Sequence, residues 1–178
     1  MTSTSTFSSL IFSGKTILNS EFGNVTVQII DNGTLSMSYG ELSLEKAGNL
    51  TLAGKSSECR IEQTNQLILD SKRDKIYLTS VGTITGQTYF SNIIIDELIN
   101  KTGLNTKYGV LEIKEISYLG KSLLLKSNDT DIKLNFKTEM NYNIDMTVDA
   151  KTQVIYSAGI TNIKTRELGG EDKLIKVQ

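Results

Sequence analysis

The chain has 178 residues, 38% of them hydrophobic, with Lys+Arg 19 against Asp+Glu 20 and a formal charge of -1. That length suits one domain with a continuous core, and the balanced charge without a basic run argues against nucleic acid as a partner. Histidine is absent and there is a single cysteine, which excludes Ser-His-Asp and Cys-His catalysis, His-based or thiolate metal sites, and an internal disulfide.

Residues 1–13 open on a Ser/Thr tract, Met1 to Ser9, with neither a basic n-region nor an apolar h-region. They read as a flexible lead-in, with Leu10, Ile11 and Phe12 able to cover the first open coil, and a secretion signal is not expected within this chain. No apolar stretch approaches the roughly 20 residues that a membrane-spanning helix needs.

Residues 14–136 carry a repeat. Apolar pairs recur at Val25/Val27, Leu42/Leu44, Cys59/Ile61, Ile76/Leu78, Ile93/Ile95, Leu111/Ile113 and Ile132/Leu134, in steps of 17, 17, 17, 17, 18 and 21 residues. A constant period of this length is the signature of a solenoid, and pairs spaced by two and rich in Ile, Val, Thr and Tyr favour strands over helices. The complete lack of proline agrees, since each proline would remove a ladder donor.

Parity gives the cross-section. With the first residue of each pair as position zero, apolar residues stand seven before it (Leu18, Leu35, Leu52, Leu69, Leu104 and Leu125, interrupted by Gly86) and nine before it (Leu50, Leu67, Ile84 and Leu123). Five after it come Ile30, Ala47, Val81, Leu98 and Ile116, with Thr64 as the exception. Inward residues along one strand share a parity, and here the parity changes three times per repeat. The prediction is an all-β, single-stranded parallel β-helix of about seven three-faced coils. Stacked at about 4.8 Å, six steps make a rod roughly 30 Å long. The first corner carries Phe22-Gly23, Tyr39-Gly40 and Tyr108-Gly109, replaced elsewhere by Ser56-Ser57, Arg73-Asp74 and Phe90-Ser91, and glycine is expected to supply the turning freedom.

After Phe136 the register is lost. Tyr142, Ile144, Met146 and Val148 alternate as a half-buried strand, followed by strand candidates at Val154 to Tyr156, Ile160 to Ile163 and Leu174 to Val177, with Gly169-Gly170 as a turn. Residues 137–178 therefore read as a final irregular coil and a β cap of the same domain, closing an edge that otherwise invites polymerisation.

The units Phe22 to Val27, Tyr39 to Leu44 and Tyr108 to Ile113, with the closing run Ser127 to Phe136, resemble the adhesin domains of Bacteroidota envelope proteins, also described as toast-rack or autotransporter-head-like domains. The resemblance spans about two thirds of the chain, from Phe22 to Phe136. It implies a β-helix exported to the envelope or cell surface and offers no catalytic motif to carry over.

Candidate sites lie on outward positions. Tyr77 and Ile94 follow position zero on adjacent coils and are expected to touch, presenting an apolar patch to a partner chain or a glycan ring. Glu41, Glu58 and Lys75, and then Glu45 and Glu62, form outward charged rows better read as a solvated face than as a cation site. Asp129-Thr130-Asp131 reads as a corner with local side-chain hydrogen bonds. Cys59 falls in an inward column, where a thiol acts as a small hydrophobe, and Asp70 with Asp74 lacks the cleft that glycoside chemistry requires. The Asn-x-Thr triplets at Asn24, Asn32, Asn49, Asn100 and Asn128 are attributed to composition.

The expected function is a non-enzymatic envelope or surface module, an adhesin, binding head or spacer, with no cofactor and no metal. Its partners are another protein or a surface glycan, with self-association through coil ends. The alternatives are an intracellular polymer-forming scaffold similar to bactofilins and, behind it, a carbohydrate-active β-helix enzyme.

Overall fold

The computed structural model describes residues 7–117, 122–137, 143–156, 162–167 and 176–177. Along them run β1 (Phe7–Glu21), β2 (Asn24–Ser38), β3 (Glu41–Lys55), β4 (Glu58–Lys72), β5 (Lys75–Tyr89), β6 (Asn92–Ile116), β7 (Ser122–Phe136), β8 (Asn143–Val148), β9 (Gln153–Tyr156), β10 (Asn162–Glu167) and β11 (Lys176–Val177), with no helix among the described residues. Every pairing between strands is parallel. The protein is a β-solenoid of about 7 turns of roughly 17 residues.

The period has a direct structural origin. β1 to β5 each hold 15 residues, and a two-residue bend separates each from the next. Each strand is thus one full coil, and like positions stack: Val25 on Leu42, Leu42 on Cys59, Cys59 on Ile76 and Ile76 on Ile93. Pairing between β2 and β3 skips Gln28/Glu45 and Asp31/Gly48, so the ladder breaks twice within a coil and once at the bend. These are the three corners that the parity changes mark.

The inward columns form one continuous core running from Val25 to Val154. Its exceptions are accommodated locally. Thr64 is buried in the column otherwise filled by Ile30, Ala47, Val81 and Leu98, and its hydroxyl donates to the Gln66 carbonyl at 3.2 Å. Gly86 interrupts the leucine column with φ 136, and a Cβ there would drive into the Leu69 carbonyl oxygen. The longer steps also have a place. The register jumps from Val81↔Leu98 to Thr83↔Lys101, and the residues that lengthen the next step fall between Ile116 and Ser122, so both insertions enter at the third corner.

Three sequence expectations change in the structure. The left-handed residue of the first corner is the one before the glycine position: Phe22, Tyr39, Ser56, Arg73, Phe90, Tyr108 and Asp129 all have φ between 48 and 61. Gly40 and Gly109 serve close approach instead, since a Cβ on either would strike the carbonyl oxygen of Gly23 or Ser91 on the coil below. At the N-terminal end, Phe7–Ser13 belong to β1, with Leu10 on Val27 and Phe12 on Ile30; residues 1–6 of the expected lead-in lie outside the described residues. At the other end, β8 and β9 lie parallel on β7, and β10 and β11 lie parallel on β8 and β9. The strands after Phe136 thus extend the solenoid, while Tyr142 and Gly169-Gly170 lie outside the described residues.

Because Ile76 is 1% exposed and stacked between Cys59 and Ile93, Ile76→Ala leaves a hole that flanking coils cannot close. The expected loss is about 2–5 kcal/mol, read by denaturant unfolding; a loss under about 1 kcal/mol would contradict the register.

Candidate functional site

On the first face, Tyr77 and Ile94 are direct rung partners, as the spacing requires. Both are half-buried rather than open, and the Arg60 guanidinium carbon sits 4.4 Å from the Tyr77 ring centre. Arg60 is itself held by Glu58. The row therefore offers a cation–π-capped tyrosine beside an isoleucine. It continues as an exposed ion pair, Lys133 to Glu112 at 3.0 Å, of a kind worth little in water.

The first corner exposes more. The left-handed position throws its side chain outward, so Phe22, Tyr39, Phe90 and Tyr108 stand in one line along the rod at 57%, 45%, 47% and 37% exposure. Phe22 stacks on Tyr39 with centroids 5.1 Å apart and planes 9° apart, and Phe90 on Tyr108 at 4.9 Å and 19°. Tyr89, the residue before Phe90, is turned nearly perpendicular to both of its neighbours, 4.5 Å from Phe90 and 5.4 Å from Tyr108. Between the two stacks the corner is basic: Lys55 Nζ lies 5.4 Å from Tyr39, Lys72 Nζ 6.0 Å from Tyr89 and the Arg73 guanidinium 6.0 Å from Phe90.

Sequence reasoning used these aromatics as corner markers and did not count them as a site. The missing signal was the backbone: with glycine assumed to make the turn, the residue before it had no assigned direction. Once that residue is left-handed, its side chain must leave the core.

A polar girdle supports the ridge from inside. Behind the corner lie buried Ser57, Ser71, Asp74, Thr88, Ser91, Thr106, Ser127 and Thr130. Among them Asp74 and Ser91 accept from backbone N–H groups that the turn aims inward, where an unpaired donor would be costly, while the hydroxyls of Ser57, Ser91 and Thr130 donate to carbonyls two residues earlier. The Ser57 amide donates to Asp74 Oδ1 at 2.8 Å, and the Asp74 amide donates to Ser91 Oγ at 3.1 Å. Further along, Thr130 N donates to Thr152 Oγ1 at 3.4 Å and Asp129 N to Asp149 Oδ1 at 3.0 Å. A side chain from one coil thus caps the bend of the coil before it. Asp74 Oδ2 also accepts from the Ser71 hydroxyl at 2.7 Å and the Lys72 amide at 3.1 Å. Gly54 makes room for this carboxylate, since a Cβ there would collide with Oδ2.

Burial pushes the Asp74 carboxyl above the usual carboxylate range, more than the hydrogen bonds from Ser71, Ser57 and Lys72 pull it down, and the Asp70 charge adds to the rise. With both oxygens of Asp74 engaged inside the rod and Asp70 exposed outside it, the two do not face one bond across a cleft. Cys59 is fully buried. Burial first, then the charges of Asp74 and Glu58, push its thiol up to about 12, so it stays protonated at neutral pH. Glu41 and Glu58 are rung partners, but no group of three or more acids or cysteines among the described residues is placed to hold a metal ion. Asp129 does turn the corner with φ 48, and Thr130 Oγ1 donates to the Asn128 carbonyl at 3.0 Å. On the third corner Asn49 Nδ2 donates to Asn32 Oδ1 at 2.8 Å, an amide ladder between coils.

No family model, curated protein or solved structure matches the chain. The architecture and the corner geometry therefore carry the functional reading.

The raised Asp74 fixes the sign of a pH effect. The folded state binds its proton more tightly than the unfolded chain does, so this group's contribution is fully present below the ordinary aspartate pKa and is lost as pH rises through the folded value. Asp74→Asn should remove that part of the pH slope above the ordinary aspartate pKa, measured by urea unfolding across the pH range. Asp74→Ala, which strands the Ser57 and Lys72 amides, should cost about 1–3 kcal/mol per lost partner.

Proposed function

We propose that the chain is a non-enzymatic binding rod of the cell envelope or surface, an adhesin-like head or spacer whose first corner is the contact ridge. The single observation that carries this reading is the use of aromatic residues at left-handed positions. Phe22, Tyr39, Phe90 and Tyr108 have φ of 57, 55, 54 and 56, a conformation that glycine or asparagine adopts far more easily and that is unusual for bulky side chains. Aromatic stacking offsets part of that strain, at about 0.5–1.5 kcal/mol per pair, yet the rings remain more than a third exposed. Strain retained at exposed positions fits a selected contact surface. The solenoid supplies what such a surface needs, a rigid row of side chains at one per coil. The resemblance of its repeat units to envelope adhesin domains points the same way.

A second reading, an intracellular polymer-forming scaffold, draws on the ladder itself. β1 pairs only with β2 among the described residues, and strand edges of this kind template further pairing.

Two measurements separate these readings. On an array of glycans and envelope polymers, the paired change Phe90→Ser with Tyr108→Ser should lower retention at least tenfold while the circular dichroism spectrum is kept. Ile94→Asp tests the first-face row in parallel, and loss confined to that variant would move the contact to Tyr77 and Ile94. For the scaffold, light scattering should show rods that lengthen with concentration, and a monomer at all concentrations would sink it.

A further inference from the structure

We infer that the groove flanking the ridge at Tyr89 takes an acidic polysaccharide laid along the rod, an inference that rests on the binding role proposed above and names its ligand class. The groove encloses about 260 Å³ between the first corner and the adjoining face, and Lys72, Tyr89, Lys107, Gln87, Asn105 and Asp70 contribute to its walls. It is open and shallow, suited to an extended chain that passes through.

Its chemistry is ordered by the ladder. Lys72 is the rung partner of Tyr89, and Tyr89 of Lys107, so two cations flank one ring at intervals of about 4.8 Å. A pyranose advances along its polymer by a distance close to one rung. A sugar lying over Tyr89 would therefore carry its neighbours towards Lys72 and Lys107, where carboxylate or sulfate groups would meet opposite charge. The cations are available: Lys55, Lys72, Arg73 and Lys107 take part in none of the ion pairs among the described residues, which engage Arg60, Lys114, Lys133, Lys137 and Lys151. This stretch of corner is basic on a chain whose formal charge is -1, so the positive charge is concentrated rather than general. Gln87 and Asn105 are rung partners and supply both donors and acceptors for sugar hydroxyls.

Single-stranded nucleic acid fits less well. It would need open aromatic faces for successive bases, whereas Phe90 and Tyr108 already stack on each other. The Asp70 carboxylate beside Lys72 can accept from a sugar hydroxyl.

The test uses the full chain in affinity electrophoresis through gels containing a polyuronate, the same polymer with its carboxyl groups reduced to alcohols, or oligo-deoxythymidine. The expected result is retardation by the polyuronate alone, weakening as salt is raised, with at least a tenfold loss in Lys72→Glu/Lys107→Glu and at least fivefold in Tyr89→Ala. These side chains are exposed, and the Lys46→Glu variant, exposed on another face of the coil and away from the ridge, controls for general charge. Equal retardation by the reduced polymer would overturn the acidic ligand while leaving the ridge as a binding surface. Retardation by the polyuronate that both groove variants retain would overturn the groove, and stronger retardation by the oligonucleotide would overturn the polysaccharide class. Failure of every polymer, together with no retention on the array, would overturn the ridge reading as well.

Discussion

The left-handed residue that opens each coil is the constraint on which the rest of this structure depends. One such residue per turn, seven among the described residues, bends the chain back onto its own ladder. A bend of that kind throws one side chain outward and aims the next residue, with its amide, into the rod. The outward line becomes the ridge. The inward line must be small or hydrogen-bonding, and it is filled by Gly23, Gly40, Ser57, Asp74, Ser91, Gly109 and Thr130. Surface and interior at this corner are therefore two consequences of one backbone choice.

The interior side shows how a β-solenoid tolerates polar groups next to an apolar core. Elsewhere in the coil, backbone donors and acceptors are matched rung to rung and the side chains facing inward can be Leu, Ile and Val. At the bend the left-handed residue can still reach the next coil, as from the Ser56 amide to the Lys72 carbonyl at 2.9 Å, but the amides of Ser57, Asp74, Asp129 and Thr130 are met by Asp74, Ser91, Asp149 and Thr152 side chains from the following coil. The bends at Ser56-Ser57, Arg73-Asp74 and Asp129-Thr130 are thereby tied to their successors. The same rule explains Gly54, whose missing side chain is the space that the Asp74 carboxylate occupies.

The proposed function draws on the outward side. The groove beside Tyr89 is open along the rod, so a ligand there would be met in steps set by the rung spacing. The two stacked pairs, Phe22 with Tyr39 and Phe90 with Tyr108, bracket a basic interval at Lys55, Lys72 and Arg73. An extended ligand with its own short repeat suits such a surface better than a compact one. The first-face row is less available, because Arg60 already lies on the Tyr77 ring.

Much of the fold was legible in the residues, because the repeat samples the same physical question at every coil. Whether a position faces the core is answered seven times, and the recurrent answer at Val25, Leu42, Cys59, Ile76 and Ile93 leaves little room for another register. The contact between Tyr77 and Ile94 follows from that register alone. The ends were less legible: β1 keeps 17 from Lys15 onward but slips to 18 at Ile11 on Ile29 and Phe12 on Ile30, and the strands after Phe136 extend the ladder in longer steps, with Leu123 on Ile144 and Ile132 on Val154. The sequence by itself determined the period, the three faces and the inward columns, since burial of apolar side chains on a stacked ladder depends on spacing and parity. Only the tertiary structure decided that the turn belongs to Phe22 and its equivalents rather than to the glycines. That choice depends on which backbone approaches the coil below, a contact between residues 17 positions apart that no local pattern contains.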